Sequence, residues 1–138
     1  MPSVLKVMRD RRGASLVEFA LLLPVLAAIL YGMLAYGQYF LIAHSVQQLA
    51  NDAARATVGG TTTAERHSLA LGSVTNELPH IDSMPPDRVT TSVDEVNGLV
   101  TVRVRFDASQ IGLFRSPLVP MPDPVIERRA VIHAQAIS

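Results

Sequence analysis

Cysteine is absent from the 138 residues. That excludes a disulfide framework, a thiolate metal site and a cysteine nucleophile. An excess of charge is lacking too: twelve basic and twelve acidic side chains cancel, so bulk electrostatics gives no reason to expect nucleic acid as a partner. Charge is also missing locally. No Asp, Glu, Lys or Arg occurs anywhere from Phe19 to Asn51.

Inside that stretch, Phe19–Ala43 is almost unbroken in its apolar character. As a helix it would be roughly 37 Å long, against a hydrocarbon core of about 30 Å. A domain of this size cannot surround such a helix on all sides, so the segment reads as membrane-inserted. Ahead of it, Lys6, Arg9, Arg11 and Arg12 against Asp10 give Met1–Gly13 a side-chain charge of +3. Basic flanks stay cytoplasmic. The expectation is a single-pass protein of the bacterial inner membrane, N-terminus in the cytoplasm and C-terminal part in the periplasm.

Beyond Ala43 the helical pattern continues. Val46, Leu49, Ala50, Ala53, Ala54 and Val58 form a stripe at spacings of three and four, and Gly59–Gly60 ends it. One helix over about 14–58 is predicted, with Pro24 kinking it or freeing a carbonyl. A second, short helix is predicted over 61–79, started by a Thr62–Glu65 capping box, buried through Leu71, Val74 and Leu78, and stopped by Pro79. From Arg88 the period becomes two. "RVTTSV" and "LVTVRVRF" flank a turn at Asn97–Gly98, with Val100, Val102, Val104 and Phe106 on one face. The loop 107–124 ends in a proline cluster, Pro117, Pro120, Pro122 and Pro124, and cannot be a central strand. A third strand over 125–137 places Ile126, Ala130, Ile132, Ala134 and Ala136 on one face, with Arg128 breaking it near the sheet's end. The fold class is therefore α+β: a basic leader (1–13), a transmembrane and stalk helix (14–58), and a head (61–138) with a short helix and about three antiparallel strands.

Candidates for catalysis are few. His44, His67, His80 and His133 lie on four different elements without metal-ligand spacing. Ser15 has no His and acid placed in sequence to activate it. Asp94–Glu95 reads as solvation of the hairpin rather than a paired-carboxylate site, and the charges of "ERR" (127–129) alternate across a strand. No phosphate-cradling glycine loop occurs. The reading is a non-enzyme with no cofactor, no metal and no small-molecule substrate.

Within the spanning helix, Ala28 and Gly32 form a small-xxx-small pair that would permit close helix packing. Tyr31, Tyr36 and Tyr39 lie toward the outer half, where an aromatic belt is expected. The conspicuous residue is Glu18, in "RRGASLVEFALLLPVL" (11–26). It is either a flanking charge held within reach of headgroups or an intramembrane carboxylate with a partner.

Basic residues, Gly13, four residues, then Glu18–Phe19 and an apolar run resemble a type IV prepilin processing signal. More narrowly, the chain is similar to the TadE-like pseudopilins of the tight-adherence (Flp pilus) system. Phenylalanine after the glutamate fits TadE-like members, where the major pilin more often has tyrosine. "NDAARAT" (51–57) and the strand-and-proline pattern of 99–137 extend the resemblance. It implies that an aspartic prepilin peptidase cuts between Gly13 and Ala14 on the cytoplasmic side, leaving Glu18 as the fifth mature residue and Phe19 as the sixth. It also implies other pilin and pseudopilin subunits and the assembly machinery as partners, with Glu18 setting register against the new amino group of Ala14. A major pilin is typically little more than its helix, whereas here a whole head follows. That points to a minor pilin or pseudopilin in pilus assembly and surface adhesion. Two alternatives compete. One is an uncleaved single-pass protein whose head binds a periplasmic partner. The other is a secreted domain cut near Val25-Leu26-Ala27, although the apolar run continues well past that point, to Ala43.

Overall fold

The computed structural model describes residues 11–134; of Arg11 and Arg12 only the backbone is described. Lys6, Arg9 and Asp10 of the leader, and Ala136 of the third strand's expected face, lie outside the described residues. Helix α1 runs Arg11–Ala56 and is prolonged by a 3-10 turn, Thr57–Gly59. At 46 residues it is about 69 Å long. It is continuous across Pro24, whose missing N–H leaves the Ala20 carbonyl without its usual donor.

The expected stripe is buried at Val46, Leu49, Ala50, Ala53 and Ala54, but Val58 is 67% exposed and Thr57 is buried instead. The 3-10 turn explains the correction: Thr57 follows Ala53 and Ala54 on the inner face, and its hydroxyl donates to the Ala54 carbonyl at 2.6 Å. Gly60 has a steric reason. A Cβ there would lie 2.6 Å from Arg66 Cγ and 2.8 Å from Arg66 N, so a side chain would lift the next helix off the first.

Helix α2, Thr63–Glu77, begins as expected. The Thr62 hydroxyl accepts from Glu65 N at 3.2 Å, while the Glu65 carboxylate reaches back to the N–H and hydroxyl of Thr61, both at 2.8 Å. The helix gives way to a 3-10 turn, Leu78–His80, at Pro79. Its buried residues are Ala70, Val74 and Leu78. Leu71 is exposed, a correction: Ala70 and Val74 are four apart and share a face, and Leu71 stands one position round from it.

After a 3-10 turn at Pro86–Arg88, strands β1 (Val89–Val96), β2 (Leu99–Asp107) and β3 (Val125–His133) form an antiparallel sheet in the order β1-β2-β3. The β1–β2 turn is built on Asn97 and Gly98, at φ of 51° and 75°. Val100, Val102, Val104 and Phe106 point inward and meet the buried side of α1, with α2 closing one end of the core.

Arg128 is not at the strand's end, as the sequence suggested. It is the fourth of nine residues in β3 and pairs with Val104. An inward arginine is tolerated because β3 is an edge strand, so the side chain reaches solvent past the sheet. Gln47 of α1 donates to the Arg129 carbonyl at 3.3 Å and covers part of that edge.

Asp94 and Glu95 face opposite sides of β1, and neither is simply solvated. Asp94 pairs with Arg103 across the hairpin. Glu95 pairs with Arg66 of α2 at 2.8 Å, both side chains being mostly covered. Arg66 also donates to the Gly60 carbonyl at 3.0 Å, tying α2, β1 and the interhelical turn together. The Arg66 hydrogen bond holds the Glu95 carboxyl below the ordinary glutamate range. Because its pKa is depressed by folding, the pair stabilises the head above the ordinary glutamate pKa, and that stability is lost as pH falls through the lowered value. Glu95→Gln is therefore expected to lower the melting temperature at neutral pH and to flatten its decline on acidification. Thermal melts of both forms at pH 7 and in the acidic range check this; parallel declines would contradict it.

Candidate functional site

From Gly13 to Ala27 every residue of α1 is exposed on all sides. Leu16, Leu21, Leu22, Leu23, Val25 and Leu26 are about half exposed or more. Apolar surface on this scale, with no polar face, is a lipid-facing or bundle-forming surface rather than one for water. The helix is long and apolar enough to cross a membrane. It fits a single-pass membrane protein.

The expected processing and register residues all lie on this exposed end. Gly13 is helical, and nothing comes within 4 Å of where its Cβ would be. Ala14 and Glu18 are exposed, and Phe19 is 58% exposed. Glu18 makes no salt bridge with a described side chain. Ala28 and Gly32 are half-buried, and a Cβ on Gly32 would lie 3.6 Å from Val119 of the chain's own loop.

What the sequence did not reveal is the packing of the loop 107–124 on the helix. Between β2 and β3, residues 108–124 turn through a 3-10 segment, Gly112–Arg115, and descend along α1. Tyr31 donates its hydroxyl to the Leu113 carbonyl at 2.7 Å, and Tyr36 to the Pro120 carbonyl at 2.6 Å. Tyr39 packs edge-on against Phe114, with ring centroids 6.0 Å apart. The tyrosines expected in an aromatic belt thus bind the head to the stalk. The one local signal is the apolar set Ile111, Leu113, Phe114, Leu118 and Val119, in a loop that its prolines mark only as irregular.

Elsewhere the chemistry is sparse. Two open polar grooves occur on the head, one lined by Gln47, Arg103, Glu127, Arg128 and Arg129, the other by Asp87, Arg88, Thr90, Arg105 and Asp107. Neither pairs a nucleophile with a base. Among the described residues no three His, Asp or Glu side chains are grouped to hold a metal.

The arrangement defines a class: a protein with one exposed apolar helix carrying a small α+β head on its C-terminal half. Residues 13–55 match the family model described as TadE-like protein. The match begins at Gly13 and ends one residue short of the end of α1. It supports a pilus-related role in the tight-adherence system. No curated protein and no solved structure matches the chain.

Proposed function

We propose that this protein is a minor pilin or pseudopilin of the tight-adherence system, cut by a prepilin peptidase between Gly13 and Ala14 and acting in the assembly of pili used for surface adhesion. In this reading the N-terminus is cytoplasmic, the helix crosses the inner membrane, and the head is periplasmic. The observation that carries it is the order basic leader, Gly13, four residues, Glu18–Phe19, lying where the family match starts and where α1 is bare on every side.

Removing the leader removes the cations that hold the helix in the cytoplasmic leaflet. The bare apolar segment then leaves lipid for a bundle of pilin helices, where its surface is covered. In that bundle Glu18 pairs with the α-amino group of Ala14, from its own chain or a neighbour. A carboxylate buried there without a partner would cost several kcal/mol, so a subunit in the wrong register is rejected. Phe19, beside it, packs against neighbouring helices.

The test is complementation of a deletion strain with Glu18→Ala. The variant is expected to insert and to be largely processed, because its apolar run and Gly13 are intact, yet to leave cells without pili. Normal piliation with alanine at 18 would eliminate the register role.

A further inference from the structure

The distance between Glu18 and the first attachment of the loop is too short for a bilayer. Glu18 and Tyr31 lie on one continuous helix, separated by about 20 Å at 1.5 Å per residue. A hydrocarbon core is about 30 Å thick, and tilting the helix only shortens the depth it covers. If α1 spans a membrane, it cannot keep both Glu18 and the Tyr31–Leu113 contact outside hydrocarbon. One must enter.

The costs are unequal. An unpaired carboxylate in hydrocarbon is among the most unfavourable groups to insert. The loop tip is built differently. Pro117, Pro120, Pro122 and Pro124 have no N–H to leave unsatisfied. The carbonyls of Leu113 and Pro120 accept from Tyr31 and Tyr36, and the Leu118 N–H donates to the Ser116 hydroxyl at 3.3 Å. Irregular backbone is tolerated at membrane depth where it is packed against protein, and this loop lies on α1, with Val119 3.6 Å from where a Cβ on Gly32 would be. Leu118 is 68% exposed, and so are Met33 and Leu34 of α1 at the same level, at 67% and 68%. Placing Glu18 at the inner boundary sets the outer boundary about 20 residues on, near Gln38, the first amide side chain after Glu18. Tyr31 then lies about 10 Å below that boundary.

We infer that the loop 111–121 is a membrane foot: its tip at Leu113 and Leu118–Pro120 is immersed in the outer leaflet beside α1, with the Arg115 guanidinium extended to the lipid phosphates. The partner is the phospholipid acyl region, and the immersion fixes the height of the head above the bilayer. The inference rests on α1 being a membrane span.

The chain has no tryptophan, so single-tryptophan reporters can be placed at exposed positions without disturbing the core. Full-length Leu118→Trp, Leu26→Trp and Val96→Trp are each reconstituted in dioleoyl phosphatidylcholine vesicles with bromine on the acyl chains. Leu26 reports the span, and Val96 the far end of the β1–β2 hairpin. Leu118→Trp is expected to emit at short wavelength and to lose most of its intensity to the brominated lipid, as Leu26→Trp does, while Val96→Trp keeps a water-like spectrum. Quenching of Leu26→Trp without quenching of Leu118→Trp overturns the foot and leaves the span standing. Quenching of neither overturns both.

Discussion

Gly13→Leu is expected to leave the protein as an inactive precursor that keeps residues 1–13 and supports no pili. The structural cost of the change is small. Nothing lies within 4 Å of a Cβ at this position, and the residue is inside α1. Leucine is a better helix former than glycine by somewhat under about 1 kcal/mol, so the helix is not weakened. Insertion is also preserved, because the apolar run and the basic flank are unchanged. With the cut placed at Gly13 as proposed, the effect falls on the encounter with the peptidase, where a residue without a side chain would let the backbone approach the cutting machinery. The mass of the membrane-associated chain, with a piliation assay on the same cells, reads both consequences. A chain that is cut normally with leucine at 13 would place the processing site elsewhere or remove it.

Phe106→Ala is expected to be the most damaging single truncation in the head. Phe106 is 1% exposed and the largest of the fully buried side chains. It sits near the end of the central strand, paired with Val89 on one side and Ile126 on the other. Truncating a buried phenylalanine costs about 3–5 kcal/mol through lost burial and the cavity left behind. For a head of this size that corresponds to a fall in melting temperature of more than about 10 °C. The unfolding must be followed in the full chain in detergent, where the exposed half of α1 keeps its helical signal while the head melts. A loss under about 1 kcal/mol would mean the head collapses around the gap, or that this core does not hold it together.

The two halves of the molecule differ in how readable they are. In β2 the alternation of valines with threonine and arginine, followed by Phe106, places the inner face directly, and Asn97–Gly98 marks the turn. Both signals are local. The stripe on α1 is legible for the same reason, and fails only at Val58, where the helix tightens and its ordinary period no longer applies. In α2 the stripe shifts by one, from Leu71 to Ala70: the larger leucine is the obvious apolar choice in the sequence, but Ala70 is the residue four before Val74 and shares its buried face.

The contacts that fix the head on the stalk could not be read this way. Tyr31 and Tyr36 bond residues 82 and 84 positions away, and they do so through backbone carbonyls that carry no sequence identity. Glu95 finds Arg66 across 29 residues. The exposed end of the helix is the opposite case. Gly13, Glu18 and Phe19 stand out by their order along the chain rather than through a folded pocket, and the roles proposed for them rest on that order and on a family match that starts at the same glycine.

The most direct measurement is the N-terminal residue of the membrane-associated protein, by mass spectrometry, in cells with and without their prepilin peptidase. The expected result is a chain beginning at Ala14 in the first and at Met1 in the second, which makes Glu18 the fifth mature residue. A chain beginning at Met1 in both would contradict the account, leaving an anchored head whose Glu18 is a flanking charge.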